Sequence, residues 1–141
     1  MKKLSCHCGG IEAEVNLPEK LEKVLRCNCS ICKRKGYIMT MVGGDDFKIT
    51  KGQDLLTLYQ YHTKVAEHYF CSKCGIHTHN KPRSNPKIYG INIACVEEIN
   101  PFELENGGVN EGLPGIRSDG NYYAYIRDPE GNKICAKCNS K

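Results

Sequence analysis

Seven of the ten cysteines of this 141-residue chain lie in three short clusters. The clusters are Cys6-His7-Cys8-Gly9, Cys27-Asn28-Cys29-Ser30-Ile31-Cys32 and Cys71-Ser72-Lys73-Cys74-Gly75. Cysteines separated by one or two residues are typical ligands of a metal ion, because their sulfurs can reach the same point. Cys6 and Cys8 are expected to project from the same face of an extended strand, as residues i and i+2 do. A tetrahedral Zn²⁺ takes four such ligands. The first and third clusters together therefore predict one complete structural zinc site, formed by Cys6, Cys8, Cys71 and Cys74.

The middle cluster has three cysteines and predicts a second zinc, held by Cys27, Cys29 and Cys32. A zinc with three protein ligands keeps a fourth position for water or substrate, as catalytic sites do. Spacing alone leaves open whether His77, His79 or another cysteine closes this site instead. Histidines that hydrogen-bond or lie at the surface are commoner than metal ligands.

Three basic residues, Lys33, Arg34 and Lys35, follow the middle cluster directly. They place positive charge beside the second zinc, where an anionic ligand can dock. A solvated basic turn is the alternative interpretation and the commoner fate of such runs.

Composition and charge narrow the class of protein. No apolar run approaches the ~18 residues that span a bilayer, and no signal peptide is recognised, so we expect a cytoplasmic protein without a membrane segment. Clustered cysteines in such a chain bind metal more often than they form disulfides. The net charge of +4 is modest and its basic residues are dispersed, which argues against nucleic-acid binding.

The elements that must position the cysteines are mainly strands. Alternating or short apolar runs bounded by Gly and Pro predict strands at 11–17, 37–42, 47–50, 55–61, 65–70 and 88–95. A hairpin is predicted from strands at 122–127 and 133–135. Single helical turns are predicted at 30–35, with Ser30 as N-cap, and at 101–105. Length and the lack of a linker predict a single mainly β domain over residues 1–141 with little helix.

In this order, the three cysteine motifs and the Phe70 that precedes the last one resemble the glutathione-dependent formaldehyde-activating enzyme family. The resemblance covers roughly residues 5–95. It implies an Mss4-like zinc-binding fold, a structural zinc at Cys6, Cys8, Cys71 and Cys74, and a zinc at the glutathione site held by Cys27, Cys29 and Cys32. The implied reaction joins glutathione and formaldehyde reversibly to S-hydroxymethylglutathione, and is classed as carbon-sulfur lyase chemistry.

An open thiolate-ligated zinc suits that reaction, because a thiol in its fourth position is deprotonated and becomes a nucleophile for the aldehyde. Lys33, Arg34 and Lys35 would then pair with the carboxylates of glutathione. Two alternatives remain. A closed second site predicts a non-catalytic zinc module for glutathione or protein binding, and methionine sulfoxide reduction on a related fold would require Cys95 as the catalytic thiol.

The remaining cysteines fit no complete site. Cys95 lies in an apolar run and is predicted to be a buried small hydrophobe. The tail, residues 121–141, carries Cys135 and Cys138, whose spacing admits a redox pair, an intermolecular metal bridge or a frayed end. The sequence does not determine the oligomeric state.

Overall fold

In the computed structural model of the chain, residues 1–21, 23–101 and 104 are described, together with strands at 109–110, 115–116, 122–127 and 133–138. The chain divides into two compact units, Met1–Ile99 and Asn100–Lys141. The single domain over 1–141 stays a prediction, and each unit is considered by itself. No helix in the described part is long and apolar enough to cross a membrane.

The first unit consists of short strands with one six-residue helix between the second and third of them. Its strands and α-helix, in chain order, are β1 Lys2–Ser5, β2 Glu12–Val15, α1 Ser30–Lys35, β3 Met39–Gly43, β4 Phe47–Lys51, β5 Leu56–Tyr59, β6 Glu67–Cys71, β7 His77–Lys81 and β8 Ile88–Asn92. Single-turn 3-10 helices lie at Gly44–Asp46, Gln53–Leu55 and Ile93–Cys95, the last in place of the end of the strand predicted at 88–95. The prediction of a mainly β fold with little helix is confirmed.

These strands form two antiparallel sheets. One has the order β1-β2-β4, and the other has the order β3-β8-β7-β6-β5. The alternating segment 11–17 gives β2, in which Ala13 and Val15 are buried and Glu14 is exposed. This alternation is what a strand with one face in the core requires.

The core joins the two sheets. Leu4, Val15 and Phe47 come from the three-stranded sheet, and Val42 and Ile91 from the five-stranded sheet, into one buried cluster. An isolated bridge between Leu4 and Val96 connects the same two regions. The apolar cluster thus holds the sheets together, because burial of such side chains is the main favourable term in folding.

The helix α1 is short and ends where the sequence allows it to end. Gly36 adopts a φ of 63° and its amide donates to the carbonyl of Cys32 over 3.0 Å. A left-handed residue at this position is the usual helix stop, and glycine adopts it without strain. The predicted N-cap was wrong by one residue, because Ser30 is already helical and Cys29 occupies the cap position without a side-chain cap bond.

The second unit is described at Asn100, Pro101 and Leu104 and by its strands, β9 Val109–Asn110, β10 Gly115–Ile116, β11 Tyr122–Arg127 and β12 Lys133–Cys138. β11 pairs with β12 in antiparallel register from Tyr122 opposite Cys138 to Arg127 opposite Lys133, as the predicted hairpin requires. Its turn lies outside the described residues, as do the side chains of Cys135 and Cys138. Of the predicted turn at 101–105, Pro101 and Leu104 are helical, and the others lie outside.

Candidate metal centres

Two similar turns present the cysteines of the first and third clusters. In one turn the amide of Gly9 donates to the carbonyl of Cys6 over 3.0 Å, and in the other the amide of Gly75 donates to that of Cys71 over 2.8 Å. Both glycines have a positive φ, 67° and 73°, which is readily adopted only without a Cβ atom. The expectation that Cys6 and Cys8 project from a strand was wrong. β1 ends at Ser5, and the tight turn rather than strand periodicity brings their sulfurs together.

The four sulfurs of Cys6, Cys8, Cys71 and Cys74 all lie within 4.8 Å of one another. The Sγ–Sγ separation is 3.6 Å between Cys6 and Cys8 and 3.8 Å between Cys8 and Cys71. Four sulfurs at ~2.3 Å from a tetrahedral zinc lie about 3.8 Å apart. The arrangement therefore fits one metal ion in a complete four-sulfur shell, which we call the closed cluster.

Lowered thiol pKa values in the closed cluster also favour the binding of a cation. Burial raises the pKa of the Cys74 thiol, but the amides of Ile76 and Cys8 and the neighbouring thiols lower it to about 6. The amide of Ile11 also donates to Cys6 Sγ over 3.2 Å. The surroundings therefore already stabilise negative charge on the sulfurs of Cys6 and Cys74, as a metal-bound thiolate requires.

The middle cluster is built from a loop and the start of α1. Cys27 and Cys29 precede the helix, and Cys32 lies on its first turn, where it is buried. The three sulfurs lie within 4.8 Å of one another. In the part of the chain that the structure describes, no fourth Cys, His, Asp or Glu atom joins this group. We call it the open cluster.

Two thiols of the open cluster, those of Cys29 and Cys32, differ strongly in pKa. Burial raises the pKa of Cys29, but the amide of Cys32 and the neighbouring thiols outweigh it and lower the pKa to about 7. Burial raises the pKa of Cys32 to about 12. Three adjacent thiolates repel one another, so complete deprotonation needs a positive ion among them. The donor set thus fits a thiophilic metal such as zinc.

All three cysteines of the open cluster line a cavity of about 650 Å³. Its walls carry apolar side chains beside a few polar ones, and among the lining residues none is Asp or Glu. The other lining residues are Leu25, Met39, Met41, Tyr61, His62, Thr63, Ala66, His68, Asn80, Pro82, Arg83, Ser84 and Ile88. This volume is in the range of small-molecule sites, roughly 300–1,000 Å³. The closed cluster differs, because only Cys6 lines the smaller cavity of about 420 Å³ next to it.

The three basic residues after Cys32 are not among the residues that line this cavity. Arg34 Nη1 donates to the carbonyl of Ser30 over 2.7 Å, and Lys35 Nζ lies 2.8 Å from His77 Nδ1. Lys33 and Arg34 are exposed, whereas Lys35 is partly buried. The structure therefore separates Lys35, which contacts the protein interior, from the two residues before it.

His77 and His79 lie on β7, and the structure places both in the interior, 7% and 3% exposed. His79 Nδ1 is 3.0 Å from the hydroxyl of Thr78, and its ring stacks on Tyr69 at 4.6 Å. Neither joins the open cluster as a ligand. Burial lowers the pKa of each imidazole to about 3, so both are neutral at pH 7.

Comparison with known proteins agrees with this arrangement. Residues 1–106 match the sequence model of the family described as glutathione-dependent formaldehyde-activating enzyme. The chain belongs to this family. A crystal structure of a Rhodobacter sphaeroides protein, determined as a structural genomics target, is 45% identical to the chain, covers 72% of it and 94% of its own length, and superposes with a TM-score of 0.69. The family assignment reaches past the 5–95 segment on which the sequence motifs depend.

Sequence reasoning missed His68 and Arg83, which both line the cavity of the open cluster. Neither belongs to a spaced motif, and pairing of β6 with its neighbours is what brings His68 to the cavity. Cys95 is buried as predicted, and its thiol donates to the carbonyl of His77 over 3.6 Å. Burial raises the pKa of Cys95 to about 12, which disfavours it as the catalytic thiol of a sulfoxide reductase.

Proposed function

We propose that the chain is a zinc-dependent carbon-sulfur lyase that joins glutathione and formaldehyde reversibly to S-hydroxymethylglutathione. One observation supports it most. Cys27, Cys29 and Cys32 form a three-sulfur group, without a fourth protein ligand among the described residues, at the wall of a ligand-sized cavity. Membership of the glutathione-dependent formaldehyde-activating family supplies the substrates. The closed cluster, in this proposal, holds a second zinc with a structural role.

The open cluster provides three sulfur ligands and leaves one position for the substrate. A zinc ion bound there would lower the pKa of the glutathione thiol, so that the thiol gives up its proton readily. The role of the cysteines is to fix that ion at the cavity wall, so that sulfur and aldehyde meet in one orientation. Three thiolate ligands weaken a metal as a Lewis acid, which is why we assign the cluster to positioning the thiol.

Charge around the cavity suits a ligand with two carboxylates. The lining residues include Arg83 and His62 but no acidic side chain. Lys33 and Arg34 are exposed on the last turn of α1, directly after the open cluster. In this proposal these residues pair with the carboxylates of glutathione. Lys35, which the sequence grouped with them, is directed instead to His77.

Exchange NMR of glutathione with formaldehyde, with and without the metal-loaded protein, tests the activity. We expect faster exchange than in the spontaneous reaction, and we expect Cys29→Ser to abolish the increase together with one metal ion per chain. Cys95→Ser is the matched control, since Cys95 is buried but belongs to neither cluster. An unchanged exchange rate with the wild-type protein would exclude the proposed activity.

Glutathione affinity separates the roles of the basic residues. We expect Arg83→Gln and the double substitution Lys33→Gln, Arg34→Gln each to weaken binding by about tenfold, because one charge-assisted hydrogen bond contributes roughly 1.5–3 kcal/mol. Lys48→Gln, at an exposed position on β4, is the control for net charge. Calorimetry at two salt concentrations measures the change, and unchanged affinity in both variants would remove this assignment.

A second candidate function, that of a non-catalytic zinc module, is distinguished from the first by one measurement. If glutathione binds in a way that depends on Cys29 while the exchange rate stays at the spontaneous value, the protein is a zinc module that carries glutathione and not an enzyme. The apolar part of the cavity, with Leu25, Met39 and Ile88, is compatible with this role as well. The same titration and exchange experiments therefore decide between the two functions.

A further inference from the structure

Two buried histidines, His68 and His77, lie next to each other, and each has one ring nitrogen without a hydrogen-bond partner. His68 Nδ1 and His77 Nε2 are the two buried side-chain nitrogen or oxygen atoms without a partner in the described part of the chain. Their ring centroids are 6.1 Å apart. Native proteins rarely leave such atoms unpaired, because each costs free energy, so each exception calls for an explanation.

His68 is the member of this pair that reaches the cavity. It lies on β6, opposite Tyr59 of β5 and Asn80 of β7, and is 3% exposed. The residue lines the cavity together with all three cysteines of the open cluster. Its Nδ1 is sealed inside the protein, so Nε2 is the ring nitrogen available to a ligand in the cavity. No cysteine ligand approaches His68 closely enough to make it part of the metal group.

His77 packs near His68, and neither His77 nor Lys35 is among the residues that line the cavity. Lys35 Nζ donates to His77 Nδ1 over 2.8 Å, which places the ring proton of His77 on Nε2. Tyr37 also packs against His77 in an edge-to-face contact at 4.5 Å. These contacts fix the ring of His77, and His77 in turn limits where the ring of His68 can lie.

We propose that His68 is the proton carrier of the open cluster, taking the proton from the thiol and giving it to the oxygen of the aldehyde. This inference depends on the proposed function of the cluster. Joining a thiol to an aldehyde moves one proton from sulfur to oxygen, and a group within reach of both atoms can carry it.

The proposed step balances without any further reactant. The thiol of glutathione loses its proton to neutral His68, and the resulting sulfur anion forms the carbon-sulfur bond with the carbonyl carbon. The π electrons of the carbonyl move to its oxygen, which takes the proton back from the imidazolium. In the reverse reaction His68 accepts the hydroxyl proton while the carbon-sulfur bond breaks, and it returns that proton to sulfur.

The surroundings keep His68 in the form that can accept a proton. Burial lowers its pKa to about 4, and the charge of Lys35 adds to the effect. The titratable and charged groups that face the histidine are those of its packed neighbours and of the cavity wall: His77, Lys35, Tyr61, His62, Arg83, Cys27, Cys29 and Cys32. The imidazole is therefore neutral before the thiol binds, which is the form that accepts a proton.

His68→Gln in the metal-loaded full chain tests the proposal, with glutathione and formaldehyde as substrates. We expect the maximal exchange rate to fall by about 10²-fold or more, while glutathione affinity and metal content stay at the wild-type values. His79→Gln is the matched control, because His79 is a 3% exposed histidine in the same sheet that does not line the cavity. It is expected to lower stability and leave the rate per folded molecule unchanged.

Two further readouts separate a chemical role from a structural one. His68→Ala leaves space beside the open cluster, and we expect free imidazole to restore part of its rate but none of the rate lost in Cys29→Ser. The dependence of the maximal rate on pH is expected to change in His68→Gln and not in His79→Gln.

The outcomes distinguish this inference from the proposed function. Wild-type protein that does not accelerate exchange overturns both. Wild-type protein that accelerates exchange, with a His68→Gln variant that keeps the same maximal rate and pH profile, overturns the role of His68 alone. A loss of metal in His68→Gln with no imidazole rescue in His68→Ala overturns it as well, because His68 would then support the cluster and not carry a proton.

Discussion

The closed and open clusters use the same ligand atom in two different settings. The closed cluster joins Cys8 and Cys71, which are 63 residues apart, through two glycine turns. The open cluster lies within the six residues from Cys27 to Cys32. A metal that joins distant segments removes more freedom from the unfolded chain than one that closes a short loop. We therefore expect a metal in the closed cluster to hold the fold together and a metal in the open cluster to exchange one of its ligands.

The side chains that surround the closed and open clusters also differ. Two of the four cysteines of the closed cluster, Cys6 and Cys71, are almost completely buried and pack with Ile11 and Leu56. The open cluster packs with Tyr37 and Met39 and borders the large cavity, which Met39 also lines. A metal enclosed by four sulfurs has no position for a substrate, whereas three sulfurs beside a cavity leave one.

Breaking the closed cluster is expected to have the largest effect. Cys71→Ser removes a buried ligand, so we expect the loss of one metal ion per chain and about 4 kcal/mol or more of stability. For a chain of this size that is a fall in melting temperature of roughly 10 °C or more. Differential scanning calorimetry with elemental analysis measures both. Cys95→Ser is the control, and a Cys71→Ser variant that melts with the wild type would refute the structural role.

Breaking the open cluster is expected to abolish glutathione binding and activity with little loss of stability. Cys29→Ser should also lose one metal ion, but we expect its melting temperature to stay within about 5 °C of the wild type, because the loop is local and contributes few core contacts. Glutathione binding and exchange activity should be lost. A loss of stability as large as in Cys71→Ser would mean that both clusters are structural, and the contrast between them would fail.

Acid is expected to act on the fold through three buried histidines. Burial lowers the pKa of His68 to about 4 and those of His77 and His79 to about 3, below the ordinary value of 6.5. Below pH 6.5 the unfolded chain binds more protons than the folded chain, so stability is lost as the pH falls toward 4. Each histidine lowers the free energy of unfolding by about 1.4 kcal/mol for each pH unit of acidification in that window.

The substitution His79→Gln separates the loss of stability caused by histidine protonation from the loss caused by release of metal in acid. His79 packs on Phe47 and Tyr69 and is not a ligand of either cluster. Urea denaturation between pH 6.5 and 4.5 should therefore show a pH slope lower by about one proton in this variant, with the proton linkage of metal binding unchanged. An identical slope in both proteins would mean that His79 is protonated alike in the folded and unfolded chains.

The sequence predicted the parts of the molecule that depend on local spacing. Cys27, Cys29 and Cys32 lie together because α1 follows them directly, and β2 and β4 follow from short alternating runs. Sequence reasoning did not find His68, whose position depends on the pairing of distant strands. His68 reaches the cavity only because β6 lies between β5 and β7, and no spacing in the chain shows this. The turn at Cys6 and Cys8 was missed because a one-residue spacing fits a strand and a tight turn equally.

The basic residues after Cys32 show the same limit within one segment. Lys33, Arg34 and Lys35 form one run in the sequence, yet successive residues of a helix point in different directions. Lys35 therefore reaches His77 while Arg34 turns back to the carbonyl of Ser30. A run of like charges predicts local positive potential, but the direction of each side chain depends on the helix that carries it.

The smallest expected effect concerns the hydroxyl of Tyr37, which lies 3.7 Å from Cys32 Sγ and 2.9 Å from Asn80 Oδ1. It has one proton, and the shorter contact to an amide oxygen is the better hydrogen bond. Tyr37→Phe should therefore cost about 1 kcal/mol of stability and leave metal affinity of the open cluster within about threefold. A chelator competition assay measures that affinity. A loss of tenfold or more, which is typical when a direct partner of a metal ligand is removed, would show that the hydroxyl donates to Cys32 and that the open cluster depends on its protein surroundings as the closed one does.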